Sequence, residues 1–365
     1  MPNSNLHGLH HAGVSVWSDS ISRSMLDTGE LTRRIEEDAI TGVTSNPTIF
    51  ASAIVGSDDY TPQLQDLKSA GSSTEQIVKS LMADDITRAC DVLADVYKST
   101  DGRDGFVSVE VSPTLASDTD ATVAEARDWA KRIDRPNLLI KVPATAKGIP
   151  AIRRLIGEGI SVNVTLIFSL ERYAEVIDAY LDGLDHFHEI GGDMSTVASV
   201  ASFFVSRFDT EVDKRLEQLG TPEAEALQGT TAVANARVAY GVFTNEFGSI
   251  RYGLLAGKGA RPQKPLWAST STKNPAYDDL LYVDGLVASN TINTMPLDTI
   301  AAYQDHGLSN PRSFDAIDVA HARTTLHHLE QAGVDYGDVT KTLEMEGVSK
   351  FIASWNELLA GVDNV

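Results

Sequence analysis

The sequence holds a single cysteine, Cys90, in 365 residues. That excludes an intrachain disulfide and any metal site built from several thiolates, and it suits a reducing cytosol. No apolar run approaches the 18 residues of a membrane-spanning helix. The N-terminal stretch Met1–His11 is polar and His-rich. It has no basic region followed by an apolar core, so no signal peptide is expected there and the expected location is the cytoplasm. Basic residues are scarce: 30 Lys and Arg stand against 51 Asp and Glu, a net charge of −21. Such a surface repels polyanions, which argues against nucleic acid or an anionic membrane as partner. A small phosphate ester stays possible, because a few local cations override a diffuse field.

Several chemical signatures are missing as well. Gly257–Lys258–Gly259–Ala260–Arg261–Pro262 lacks the final glycine of a dinucleotide fingerprint. No Walker A pattern or Gly-x-Ser-x-Gly elbow occurs. His186 and His188 are two apart in a helical pattern, where their side chains diverge. His7, His10, His11, His327 and His328 read as surface residues. No metal site is expected.

What is present is an alternation. Short apolar β-type runs cover Ala12–Trp17, Ala39–Thr44, Phe106–Val111, Leu138–Val142, Ile160–Ile167, Val197–Val205, Pro265–Ser269 and, most faintly, Asn290–Met295. Helical patterns lie between them over Met25–Glu37, Thr74–Tyr97, Asp120–Ile133, Ile149–Gly157, Leu170–Phe187, Phe208–Leu219, Pro222–Phe247 and Tyr277–Val287. A last helix, Thr340–Leu359, carries Phe351, Ile352 and Trp355 on its apolar face. Eight strands alternating with helices, with no linker between them, predict one α/β domain over 1–365, a single (β/α)8 barrel. The long second and sixth connections leave room for extra helices. An open doubly wound sheet is the alternative.

Strand periodicity sharpens this reading, because successive side chains point to opposite faces. In Val107–Val111 the valines share one face, and Ser108 and Glu110 the other. Asn163 and Thr165 lie opposite Val162, Val164 and Leu166. Thr44 and Asn46 point the same way. Lys141 points away from Ile140 and Val142. Four strands thus turn polar groups towards one interior, and polar groups near strand C-termini are where barrel enzymes build their sites.

Taken singly, these residues stay ambiguous. Lys141 is either a strand-end lysine whose ammonium reaches water or a buried amine able to attack a ketone. Glu110 is either an ion-pair partner or a general acid/base. Asp19 is most simply a helix cap or loop residue, and Asn46–Pro47 a turn. Arg207 and Lys273 follow apolar runs and are candidate phosphate clamps.

Five motifs, in this order, remove much of that ambiguity: Thr41-Gly-Val-Thr-Ser-Asn-Pro47, Val107-Ser-Val-Glu-Val111, Leu139-Ile-Lys-Val-Pro-Ala-Thr145, Ser161-Val-Asn-Val-Thr-Leu-Ile-Phe-Ser169 and Trp267-Ala-Ser269. Together, from about Val14 to Pro296, they resemble the transaldolase family. The resemblance implies a (β/α)8 barrel that works without cofactor or metal. It would move a dihydroxyacetone unit between sugar phosphates in the non-oxidative pentose phosphate pathway. Lys141 is then the Schiff-base lysine, Glu110 and Thr165 handle a catalytic water, and Asp19 takes the C4 hydroxyl proton. Thr44, Asn46 and Asn163 are sugar-hydroxyl or lysine-neighbouring contacts. Ser202, Phe204, Arg207 and Ser269 match family positions, with Lys273 where many relatives place an arginine. Phe203 and Ser206 stand where many relatives have Pro and Gly. Two alternatives remain open: a fructose 6-phosphate aldolase that releases free dihydroxyacetone, whose representatives tend to carry Tyr where this chain has Phe204, and a non-catalytic sugar-phosphate-binding barrel. The partners implied are small-molecule sugar phosphates; a monomer or homodimer is expected.

Overall fold

The computed structural model describes residues 3–364. Met1 and Pro2, which open the stretch read as a polar tail, lie outside the described residues, as does Val365. Eight strands form the core: β1 (Val14–Ser18), β2 (Ile40–Thr44), β3 (Val107–Glu110), β4 (Leu138–Pro143), β5 (Val162–Ile167), β6 (Ser199–Phe204), β7 (Lys264–Ala268) and β8 (Thr291–Met295). Each pairs in parallel with the next, and β8 closes on β1. The closed barrel rules out the open sheet. The outward faces are aliphatic: Val107, Val109, Ile140, Val142, Val162 and Val164 are all buried. They pack beneath helices such as Thr119–Ile133, whose Val123, Ala126 and Trp129 face inward. Each such side chain contributes about 1.5–3 kcal/mol on full burial.

The barrel interior is shaped from below. Trp17 on β1 stacks near Phe106, at 6.3 Å between ring centroids, and its Nε1 donates to Asp104 at 2.8 Å. Gly42 on β2 makes room for it, since a Cβ there would lie 2.5 Å from the indole. The floor leaves the polar residues two positions further along these strands at the C-terminal mouth.

Several sequence-based elements need correction. The N-terminal stretch is a helix, Ser4–His11, capped by Asn3, whose side chain accepts from the Asn5 and Leu6 amides. Its Leu6 and Leu9 are fully buried with Val14, Val16 and Ile40. Its His7 is only half-exposed. Asn46–Pro47 is the start of a helix, Pro47–Val55: Asn46 Oδ1 accepts from the Ile49 amide at 3.0 Å and Pro47 takes the first position, where its missing N–H is harmless. The pattern over Pro222–Phe247 breaks at Gly229 (φ +68) into Pro222–Glu225 and Thr231–Glu246. Met25–Glu37 likewise splits at Gly29 (φ +75). Tyr277–Val287 is mostly loop with one turn, Leu281–Asp284, because Asn274 and Asp278 turn their side chains onto the Ala276 and Leu280 amides.

The C-terminal helix runs further than its apolar pattern, from Tyr336 to Asp363. It crosses the Pro47–Val55 helix, where Thr48 Oγ1 bonds Ser354 Oγ at 2.8 Å. It also passes over the end of β5: a Cβ on Gly347 would come within 2.9 Å of Leu166. That path brings Phe351 to the barrel mouth. Among the described residues no helix is long and apolar enough to cross a membrane.

Candidate active site

A cavity of about 130 Å³ opens at the C-terminal ends of the strands. Asp19, Thr44, Asn46, Lys141, Thr165, Ser202, Phe204, Arg207, Ser269 and Lys273 all line it. Ten of the twelve residues singled out in the sequence therefore line one cavity. The other two, Glu110 and Asn163, lie just behind it. The strand register explains this. Glu110 pairs with Lys141 between β3 and β4, and Lys141 with Asn163 between β4 and β5.

Lys141 is 6% exposed and does not reach bulk water. Its Nζ donates to the Ser45 carbonyl at 2.8 Å. Its distance to Glu110 Oε2 is 3.7 Å, within ion-pair range but too long for a hydrogen bond. Glu110 Oε2 and Thr165 Oγ1 are both buried without a protein hydrogen-bond partner. Burial pushes the Glu110 carboxyl above the ordinary carboxylate range; the neighbouring Lys141 charge opposes the shift, and the Asp19 charge adds to it. Glu110 can thus hold or release a proton near the amine, which a fully solvated carboxylate does less readily.

Asp19 follows β1 and is tied to β8 by its amide, which donates to the Met295 carbonyl at 2.8 Å. It does not cap the next helix; Ser22 does. Its Oδ1 accepts from Thr44 Oγ1 at 2.7 Å, and Thr44 also meets Thr294 Oγ1 at 2.7 Å. Asn163 spends both ends of its amide on neighbours: Nδ2 donates to Ser108 Oγ at 3.1 Å and Oδ1 accepts from Ser202 Oγ at 2.7 Å. It holds the strands around Lys141 in register.

The opposite side is cationic. Arg207 is the second residue of the helix Ser206–Leu219. Its guanidinium lies 5.1 Å from the Phe204 ring centroid and 5.8 Å from that of Phe351. Nη1 is buried without a partner. Burial pulls this guanidinium below its usual range, with the negative charges of Glu110, Asp19 and Glu346 opposing the shift. A half-buried cation with a buried N–H group and no carboxylate of its own is suited to an incoming anion. Ser269 Oγ and Ser206 Oγ sit 2.9 Å apart beside it. Lys273 is exposed at the rim, where Nζ donates to Ser271 Oγ at 2.6 Å.

Two non-glycine residues at these strand ends have left-handed backbone, Leu166 (φ 59) and Ser269 (φ 57). Leu166 sits where the β5–β6 register shifts, directly after Thr165. Such bulges re-aim side chains next to sites, and each strained residue costs about 1–3 kcal/mol. Sequence reasoning missed Thr294, Pro296, Ser271 and Phe351, which also line the cavity. Alternation along β8 does not mark Thr294, because it shares its face with Ile292 while Thr291, Asn293 and Met295 take the other. Nothing local marks Phe351 as a mouth residue. Among the described residues no three His, Cys, Asp or Glu converge as metal ligands.

Fold and cavity together define a (β/α)8 barrel enzyme whose site is built around one buried lysine. The family profile of transaldolase/fructose-6-phosphate aldolase matches residues 16–362. The chain is 54% identical over 356 residues to the transaldolase of Acidothermus cellulolyticus, which covers 97% of this chain and 95% of that protein. It is 54% identical over 360 residues to the transaldolase of Thermobifida fusca, with 98% and 96% coverage. The transaldolase of Mycolicibacterium smegmatis is 51% identical over 357 residues, again with 98% and 96% coverage. The chain belongs to the transaldolase/fructose-6-phosphate aldolase family.

Proposed function

We propose that the chain acts as a transaldolase, moving a dihydroxyacetone unit from a ketose phosphate, such as fructose 6-phosphate or sedoheptulose 7-phosphate, to an aldose phosphate. The observation that carries this reading is the buried Lys141–Glu110 pair, with Asp19 and Arg207 lining the same cavity. Lys141 Nζ, as the free amine, attacks the C2 ketone and forms a carbinolamine. Loss of water gives an iminium. Glu110, through a water shared with Thr165, supplies and removes the protons of these steps; the partnerless oxygens of both residues suit that role. Asp19 takes the C4 hydroxyl proton. The C3–C4 bond breaks, its electrons enter the iminium, and an enamine remains on Lys141 while the aldose phosphate leaves. The iminium is the electron sink. The acceptor aldehyde is then attacked by the enamine, Asp19 returns the proton, and hydrolysis frees the new ketose phosphate.

Arg207, with Ser269 and Lys273 beside it, receives the phosphate at the cationic end. This fits a chain whose overall charge is strongly negative, since the substrate charge is met by local donors. Thr44 orients Asp19 through the 2.7 Å bond.

The aldolase alternative shares the imine and differs only in the fate of the enamine. Release requires protonation of its carbon. Phe204 offers no hydroxyl there, and its ring packs against Phe168 at 5.3 Å. The intermediate therefore waits for an aldehyde. With fructose 6-phosphate alone, glyceraldehyde 3-phosphate should appear as about one equivalent per site, as expected for a covalent intermediate that accumulates. Adding erythrose 4-phosphate should restore turnover and yield sedoheptulose 7-phosphate. Sustained dihydroxyacetone release at a comparable rate without acceptor would make the chain an aldolase instead.

A further inference from the structure

Two buried carboxylates take no part in the chemistry above. Asp209 and Asp213 lie one turn apart on the inner face of Ser206–Leu219, the helix that carries Arg207. Neither has a Lys, Arg or His within ion-pair distance among the described residues, although burying adjacent carboxylates is unfavourable unless their oxygens are satisfied. Both are satisfied by neutral donors. Asp209 accepts from Thr231 Oγ1 at 2.8 Å and the Ala232 amide at 2.6 Å, both in the first turn of Thr231–Glu246. Asp213 accepts from the Gly229 amide at 3.0 Å. Each takes one further bond from a tyrosine hydroxyl: Tyr282 to Asp209 at 3.0 Å and Tyr277 to Asp213 at 2.8 Å.

Those tyrosines flank the far end of the loop after β7. Its near end is fixed by Thr270 Oγ1, buried and donating to Asn293 Oδ1 at 2.8 Å. Between the two anchors lie Ser271 and Lys273, which line the cavity. The link from anchor to rim is short. The Tyr277 amide bonds the Asn274 carbonyl at 3.1 Å, and Thr272 Oγ1 bonds the Asp278 carbonyl at 2.8 Å. Tyr277 also leans on Gly229, where a Cβ would meet its ring at 2.8 Å.

We propose that Asp213 and Asp209 are positioning residues that, through Tyr277 and Tyr282, register the β7–β8 loop against the Arg207 helix so that Lys273 and Arg207 face one phosphate. This rests on the reading of that end of the cavity as the phosphate site. Two rigid-body partners are needed because Lys273 sits on an exposed loop and its flexible stem would otherwise sample many positions.

Tyr277→Phe tests this, since Tyr277 is half-buried and the variant keeps the ring against Gly229. For fructose 6-phosphate with a fixed acceptor, KM should rise about fivefold and kcat stay within about twofold, the split expected when phosphate binding alone is loosened. In a Lys273→Ala background the same substitution should change KM by less than about 1.5-fold, because the group being positioned is gone. Asp213→Asn keeps an acceptor for Tyr277 and should fall between wild type and Tyr277→Phe. An unchanged KM with a lowered Tm would make the network purely structural and overturn the proposal. An equal rise in KM with and without Lys273 would overturn it too. Arg207→Ala is measured alongside: if its KM does not move, the phosphate reading fails and takes the proposal with it; if it moves while Tyr277→Phe does not, the proposal alone fails.

Discussion

Replacing Arg207 by alanine removes the half-buried guanidinium at the far end of the cavity. The guanidinium lies over both the Phe204 and Phe351 rings, and its Nη1 has no protein partner. A phosphate there would receive at least one charge-assisted hydrogen bond, worth about 1.5–3 kcal/mol when the other partner is charged. At about 1.4 kcal/mol per tenfold, KM for fructose 6-phosphate should rise by about 10- to 150-fold. The reacting carbons lie near Lys141, away from this end, so kcat should fall by less than about threefold. Unphosphorylated fructose, assayed at high concentration, should lose less than about twofold, because it has no group for Arg207 to hold. A binding readout separates the effect from chemistry. Inorganic phosphate at tenfold its Kd stabilises the folded chain by about 1.4 kcal/mol, a rise of roughly 2 °C in Tm for a chain of this length, and this rise should vanish in the variant. An equal loss with fructose and with its phosphate ester would show that Arg207 supports the pocket without reading phosphate. A phosphate-induced rise in Tm that survives in Arg207→Ala would place the anion elsewhere.

Glu110→Gln keeps shape and loses the exchangeable proton. Its kcat should fall by roughly 10²–10⁴-fold with a smaller change in KM, read by steady-state kinetics; an effect confined to KM would make it a binding residue. Asp209 gives a pH signature in stability. Burial raises its folded pKa from 3.8 to about 6, partly opposed by its hydrogen bonds to Thr231, Ala232 and Tyr282. A raised carboxyl pKa favours the fold while the group is protonated, so the contribution fades as pH rises through 6. It amounts to about 1.4 kcal/mol at pH 5 and about 0.1 at pH 7. Stability of wild type minus that of Asp209→Asn should therefore drop by about 1.3 kcal/mol between those pH values, measured by chemical denaturation; a difference that is flat or rises with pH contradicts the assignment.

Strands were legible in the sequence because alternation is a strong local signal. Val107, Val109 and Val111 against Ser108 and Glu110 define both the strand and its inward face, and the observed β3 matches. The inward polar set then marks the barrel mouth from the sequence alone. Helices without an apolar stripe were not legible. Ala316–Gln331 buries only Ala322 and Leu329 and depends on the Asp315–Asp318 capping box. Ser4–His11 shows two leucines among polar residues, and only their contact with β1 and β2 gives them a core. The chemistry of Lys141 lay outside local reach as well. Its neighbours in sequence are equally consistent with a solvated strand end; the Ser45 carbonyl and Glu110, brought in by β2 and β3, decide its burial. Phe351 was visible as a helix face, but its place over Arg207 depends on a helix that joins the mouth from the far end of the chain.

Lys141 is the residue expected to carry the substrate covalently. The direct measurement is borohydride reduction in the presence of fructose 6-phosphate, followed by intact mass and peptide mapping. One adduct per chain, with the mass of a reduced dihydroxyacetone unit, is expected on Lys141. Lys141→Met should fold, take no adduct and lose activity by several orders of magnitude, because the covalent path is gone. An adduct on Lys147, or turnover retained in Lys141→Met, would contradict that role.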